Sequence, residues 1–235
     1  MDIDRLVDGV EPTVKSYWDF SEKRKQSGTV IKIACDGDFC YVVLEQTIFH
    51  PETDEQEGDS GWIRGKNGSL HVKRAIIRHG VIIHEGKMEG NFELNEEVEA
   101  EVYWPSRKNN VKMHALGHIL KAAIVQVKPK AEITSFRMSS PGFIHVRGGL
   151  TGGEVEKIRE AAAILKNQVG LRFMNPREFM EKSRHVPKEL PETSIRVCSV
   201  GPELMTCGGV LPRSAKNLEF GIIGMRGEKL IFGLE

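Results

Sequence analysis

Short strand-like runs between residues 28 and 105 constrain the fold most. Segments such as "TVIKIACDGDFCYVVLEQTIF", "SLHVKRAIIRHG" and "VIIHEGKM" are rich in β-branched and aromatic residues, and turn signals such as "KNGS" separate them. The first segment contains Asp36–Gly37–Asp38, which predicts a hairpin turn. Strands of this length and spacing are typical of a small β-barrel or β-sandwich. We therefore predict a barrel-like domain over 28–105, with Pro105 at its end.

After Pro105 the hydrophobic period becomes that of helices. One helix is predicted over about 106–127. A second is predicted over about 152–168, where Thr151 and Glu154 have the spacing of a capping box.

Strand-like runs accompany these helices. "ITSFRMSSPGFIHVRG" predicts a hairpin across 140–142, "SIRVCSV" a strand, and "LEFGIIGMRGEKLIFGLE" a closing hairpin that turns at Arg226–Gly227. Asn175–Pro176 is typical of the start of a short helix. The predicted class is α+β. A small N-terminal β-barrel domain precedes an α+β domain over 106–235, in which helices pack on a mixed sheet, and residues 1–27 are an N-terminal extension.

The amino-acid composition excludes few classes of function. Lys and Arg together number 33, as do Asp and Glu, so global charge does not favour nucleic acid, although local segments such as "SRKNNVK" are basic and are expected to be solvated. No apolar run reaches the length of a membrane span, and the N-terminus lacks a signal-peptide pattern. We expect a cytoplasmic protein whose four cysteines are thiols.

The stretch "NNVKMHALGHIL" places His114 and His118 four residues apart in a helical pattern, so both project from one face. As an alternative to a shared site, the two histidines are unrelated, and one of them is buried with a carbonyl as its hydrogen-bond partner. Gly117 between them costs about 1 kcal/mol relative to alanine, which suggests that a backbone or a ligand approaches closely. Cys207, followed by two glycines, offers a thiolate in a turn, and two imidazoles with a thiolate are typical zinc ligands.

These motifs resemble the AlaX-type alanyl-tRNA editing proteins and the editing domain of alanyl-tRNA synthetase. The family pairs an HxxxH helix with a later CxxxH motif; "HALGHIL" matches the first, and "IRVCSVGPELMTCGGVLP" is similar to the second. The resemblance covers about 28–235. In "TIFHPETDEQEGDSGWI", the residues that fit the family's phrase T-x-F-Y-P-x-G-G-G-Q-x-x-D-x-G include Pro51, Gln56, Asp59 and Gly61.

Two positions depart from the family pattern. Thr53–Asp54–Glu55 stands where the family has a glycine run. Leu211, which cannot bind a metal, stands where the family's last histidine would be.

The resemblance implies hydrolysis of serine or glycine from mischarged tRNA for alanine, with Zn²⁺ held by His114, His118 and Cys207. His114, His118 and Gln56 are the candidate catalytic residues, and the tRNA acceptor end is the implied partner. With Leu211 in the fourth place, either a water completes the metal site or the site is degraded.

The sequence leaves the roles of several other residues undecided. Gln56 is as readily an ordinary turn glutamine, and Asp59 and Gly61 are expected to shape that turn. Cys198 is expected in the core. His145 is an alternative fourth ligand, provided that its hairpin lies beside the helix.

Two other functions remain alternatives. The first is a catalytically degenerate protein that binds tRNA or another partner without hydrolysis, and the second is a regulatory module that no longer binds RNA.

Overall fold

The protein forms two compact units, Met1–Asn109 and Asn110–Glu235. A computed structural model describes residues 3–19, 22–184, 186–187, 190 and 193–235. The predicted α+β class with an N-terminal barrel is confirmed. None of the helices in the described part of the chain has the length and hydropathy that a membrane span requires.

The first unit is built on a closed six-stranded barrel. Its strands, in the order in which they pair, are β2 (Lys25–Asp36), β3 (Phe39–Leu44), β7 (Val81–Gly90), β6 (Gly68–Arg78), β5 (Gly61–Arg64) and β8 (Glu97–Val102). Alternate side chains point inward and fill the interior, among them Val42, Ile63, Leu70 and Val72, each fully buried. Closure leaves no sheet edge in the barrel.

The N-terminal residues pack on this barrel. Helix α1 (Ile3–Val7) places Val7 in a buried cluster with Val43 and Ile83. Strand β1 (Val14–Lys15) pairs in parallel with β4 (Gln46–Thr47).

Cys35 and Cys40 form a disulfide, so the expectation of four thiols is wrong. The hairpin of β2 and β3 makes the two residues direct cross-strand partners, with Cα atoms 4.1 Å apart. The expectation rested on cellular compartment, whereas pairing register brings these two sulfurs together. Cys198 and Cys207 are buried and are not disulfide-bonded.

In its described residues, the second unit contains most of one long helix, two further α-helices and two antiparallel sheets, where one mixed sheet was expected. The helices are α2 (Trp104–Val127), α3 (Gly152–Leu165) and α4 (Pro176–Lys182). One sheet has the order β14 (Phe220–Arg226), β15 (Lys229–Leu234), β10 (Gly142–Val146), β9 (Ile133–Arg137). The other has the order β11 (Val169–Met174), β12 (Ile195–Val200), β13 (Glu203–Thr206).

Local signals explain the helix ends. Thr151 and Glu154 form the predicted capping box, and Asn175 caps α4 ahead of Pro176. Helix α2 begins at Trp104, two residues before the predicted start, because proline is tolerated in a first turn.

The core of the second unit lies where α2 and α3 meet the sheets. Apolar residues of α2, such as Leu116 and Ile119, share one buried cluster with Ile158 of α3 and Phe232 of β15. Buried polar groups of α2 therefore lie in an apolar, water-poor environment.

Candidate metal centre

His114 and His118 of α2 are both fully buried. Their Nε2 atoms lie 3.2 Å apart because residues four apart stand one above the other on a helix. The Sγ of Cys207 lies 3.3 Å from the Nε2 of His114. The three ligand atoms are all within 4.8 Å of one another.

Cys207 reaches the helix through the turn that follows β13. Its backbone N–H donates to the carbonyl of Arg196 on β12, which continues the sheet pairing by one residue. The Nη1 of Arg196 donates to the carbonyls of Cys207 (3.0 Å) and Gly209 (2.6 Å) and lies 3.4 Å from the Cys207 Sγ. One buried guanidinium thus holds both sides of the Cys-Gly-Gly turn.

Two of the separations between the ligand atoms fit a zinc ion. Tetrahedral Zn²⁺, with Zn–N bonds of about 2.0–2.1 Å and Zn–S bonds of about 2.3 Å, separates two nitrogens by about 3.3 Å and nitrogen from sulfur by about 3.5 Å. The observed separations of 3.2 and 3.3 Å are close to these values. Two imidazoles and a thiolate are also ligands that zinc prefers, so the group is able to hold this metal.

Burial keeps the imidazole of His118 neutral. Its pKa lies well below the usual 6.5, chiefly because burial disfavours the charged form, with further contributions from His114, Lys121 and Arg196. A neutral imidazole is the form that binds a metal.

Cys198 lies in the core of the second unit, as expected. Burial raises the pKa of its thiol far above the usual range, so it stays protonated. An inert buried thiol of this kind is a structural residue.

Leu211 is buried in the same apolar cluster as the helices and is not a ligand. Within the described ranges, the group able to hold a metal comprises three residues.

His145 does not join this group. Strand β10 turns Ile144 and Val146 into the core, so His145 between them faces the other side. There its ring nitrogens contact the Thr134 Oγ1 at 2.7 Å and the Glu228 carboxylate at 3.0 Å.

Gln56 lies in the first unit, in a tight loop, with 1% of its surface exposed. Its carbonyl accepts from the backbone N–H of Thr53 at 3.0 Å, and its own N–H donates to the Thr53 hydroxyl at 3.1 Å. The tip of this loop, Asp54, is exposed.

Asp59 shapes the loop, through a partner that the sequence did not indicate. Its carboxylate accepts from the backbone N–H of His50 at 2.5 Å and from the Nε of Arg107 at 2.8 Å. Arg107 is fully buried and also donates to the carbonyl of Ile48. Arg107 belongs to the basic segment "SRKNNVK", which was expected to be solvated. Composition alone does not indicate which cation of a charged segment is buried.

The structure explains the glycine at position 117 differently from the sequence-based expectation. A Cβ there would meet three atoms of the Met138 side chain, at 2.4–2.9 Å. The glycine makes room for this buried methionine rather than for the Cys-Gly-Gly turn.

Comparison with known proteins agrees with the motifs. The profile of class II (A) tRNA synthetases matches residues 18–106. The chain is 29% identical over 208 residues to the alanyl-tRNA editing protein AlaX-L of Pyrococcus horikoshii, which covers 85% of this chain and 50% of that protein.

The chain also matches alanine–tRNA ligases, but over a smaller fraction of their length than for AlaX-L. That of Fervidobacterium nodosum is 31% identical over 110 residues, 42% of this chain and 13% of the ligase. That of Archaeoglobus fulgidus is 25% identical over 233 residues, 91% of this chain and 24% of the ligase. The chain thus spans half or less of the length of these relatives. The resemblance to alanyl-tRNA editing proteins that the motifs indicate is confirmed over most of the chain.

Proposed function

We propose that this protein is a trans-acting, zinc-dependent deacylase that removes serine or glycine from mischarged tRNA for alanine. The observation that carries the proposal is the buried convergence of His114, His118 and Cys207. Similarity to an alanyl-tRNA editing protein supports the reaction class and the tRNA partner. Its substrate is the aminoacyl ester at the acceptor end, and we place the reaction in the cytoplasm.

His114, His118 and Cys207 would hold the Zn²⁺, and the bound ion supplies a Lewis acid beside the ester. The chain contributes the surroundings. The apolar core around α2 excludes bulk water, which strengthens electrostatic interactions within the site. The Arg196 guanidinium keeps the turn that carries Cys207 in place.

Three protein ligands are typical of catalytic zinc, because a position stays open for water or substrate. Leu211 therefore favours a catalytic site over a closed structural site. We further propose that Gln56 acts in the substrate loop, since it matches the family's motif and its backbone is held by Thr53.

A second candidate is an editing-like protein that binds tRNA without hydrolysis. The observation that favours it is Leu211 itself, whose side chain packs into the core instead of offering a fourth ligand. Metal content and deacylation separate the two candidates.

The test measures zinc content and the deacylation of Ser-tRNA and Gly-tRNA for alanine by the full chain. We expect one zinc per chain, lost together with activity in Cys207→Ala, while Cys198→Ala, the matched control at a buried thiol outside the group, retains both. Leu211→His should raise zinc affinity. Gln56→Ala should lower the deacylation rate with zinc content unchanged.

A metal-free protein whose deacylation survives chelators and Cys207→Ala would contradict the metal mechanism. A zinc-loaded protein that binds tRNA without deacylating it would favour the second candidate.

A further inference from the structure

The outer wall of the barrel carries a cavity of about 520 Å³ whose lining residues all belong to the first unit. A volume of this size is typical of small-ligand sites. Two of the three tryptophans of the chain lie here, and the lining combines aromatic rings with guanidinium groups: Trp62, His71, Tyr103, Trp104, Arg24 and Arg64.

Two of these aromatic side chains project from the face of the strands that points away from the barrel interior. Ile63, Leu70 and Val72 point inward and are fully buried, so their neighbours Trp62 and His71 point outward. Trp62 and His71 are direct cross-strand partners. Their rings stack at 4.4 Å with an interplanar angle of 10°. This stack adds nothing to the interior packing that stabilises the barrel.

Guanidinium groups extend this surface. The Cζ of Arg64 lies 5.2 Å from the Trp62 ring centroid, and that of Arg24 lies 4.6 Å from the Trp104 ring centroid. Both arginines are exposed. Guanidinium groups stack on planar rings and also bind phosphate through paired N–H donors.

Glu101 also lines the cavity, beside Tyr103. A hydrogen bond from Arg64 at 2.5 Å lowers the pKa of Glu101, so its carboxylate is ionised at neutral pH. An ionised carboxylate accepts hydrogen bonds from the amino group of a base. The Glu101 carboxylate also balances the charge of Arg64. Arg24 is therefore the cation better able to attract an anionic ligand. Tyr103 leaves 57% of its surface exposed.

We propose that this cavity binds an unpaired nucleotide, with its base stacked on the aromatic surface, its phosphate at Arg24 and its amino group at Glu101. Aromatic faces beside guanidinium groups are how proteins hold unstacked bases of single-stranded RNA. A base pair inside a duplex cannot enter, because its faces are covered by its neighbours. A free mononucleotide shares this chemistry with a single-stranded RNA, and the test separates the two.

The proposal does not rest on ester hydrolysis. It concerns the barrel wall, so a protein that fails to deacylate tRNA would still bind a nucleotide here.

The test titrates the full chain at low salt with a labelled single-stranded RNA hexamer, with AMP and CMP as competitors, and with a duplex of the same length. We expect the hexamer to bind and the duplex to bind much more weakly. Trp62→Ala should weaken binding by about 5- to 150-fold, and Trp62→Phe should retain most of it. Arg24→Gln should weaken binding and lower the slope of log affinity against log salt by about one.

Arg78→Gln is the matched control, an exposed arginine at the end of β6 outside the cavity lining, and should bind as the unchanged protein does. Circular dichroism of each variant shows whether the barrel is folded. If AMP or CMP competes at concentrations near that of the hexamer, the ligand is a free nucleotide; if competition needs far higher concentrations, it is an RNA strand. Absence of binding by all nucleotides, or binding unchanged in both Trp62→Ala and Arg24→Gln, would overturn the proposal.

Discussion

The Arg196 side chain contacts the turn that carries Cys207. Its three contacts with the Cys-Gly-Gly turn come from a single Nη1, and the residue is 6% exposed. Groups that orient metal ligands commonly change metal affinity by about 10- to 100-fold when they are removed.

We predict that Arg196→Lys lowers zinc affinity by about 10-fold or more, because the lysine side chain is one atom shorter and its ammonium does not reach the position of Nη1. Competition with a zinc-binding dye measures the affinity. Arg172→Lys, on an exposed strand position, is the control. Equal affinities in both variants would show that the turn keeps its geometry without the guanidinium.

His84 is a buried histidine in the first unit whose neutral form stabilises the fold. Its Nδ1 donates to the carbonyl of Val42 at 2.9 Å, and its Nε2 accepts from the Thr47 hydroxyl at 2.8 Å. Burial lowers its pKa from 6.5 to about 4, while the bond to Val42 opposes this shift.

Stability should fall as pH falls below the unfolded pKa of 6.5, because the unfolded chain then binds a proton that the folded chain excludes. Between pH 7 and pH 5 this loss should be about 2 kcal/mol. Urea unfolding at several pH values measures it. His84→Gln should have a shallower pH dependence by that amount, whatever its stability at pH 7. Parallel curves for the two proteins would mean that folding leaves the pKa of His84 unchanged.

At the scale of the element, helix α2 combines the face that carries the candidate metal ligands with close packing at Gly117. Alanine is the better helix former by about 1 kcal/mol. A Cβ at Gly117 would nonetheless lie 2.4 Å from the Cγ of Met138, which is 1% exposed and has little room to move.

We predict that Gly117→Ala destabilises the protein by about 1–3 kcal/mol, since overpacking outweighs the gain in helix propensity. Met138→Ala should recover part of this loss in the double variant, although alone it leaves a cavity. A double-mutant cycle of unfolding free energies isolates the coupling. Additive effects would show that the methionine moves aside without cost.

At the scale of the whole molecule, the numbers of positive and negative side chains are equal, but individual loops carry an excess of one sign. The loop at Thr53–Asp54–Glu55 places two carboxylates where the family it resembles has glycines, and Asp54 is exposed. Carboxylates near an RNA backbone repel phosphate, and salt screens this repulsion.

We predict that Asp54→Gly combined with Glu55→Gly tightens tRNA binding at low salt, with a smaller gain at high salt. Filter binding at two salt concentrations measures this. Asp36→Gly with Asp38→Gly, in the β2–β3 turn, removes the same charge and is the control. Unchanged or weaker binding in the loop variant would mean that the loop does not approach the RNA.

Local features could be predicted because their physics is local. The alternation of the strands, the capping box at Thr151, and the one-turn spacing of His114 and His118 depend on neighbours within a few residues. The α+β class with an N-terminal barrel followed from these patterns.

Only the tertiary structure decided which distant groups meet. Arg107 lies 48 residues from Asp59, and Met138 occupies the space above Gly117. The Cys35–Cys40 disulfide likewise depends on strand register, and the rejection of His145 as a ligand depends on which face of β10 it occupies. Such contacts arise because burial excludes water from a polar group, which then needs a partner from whichever segment packs beside it, and sequence distance carries no record of that packing.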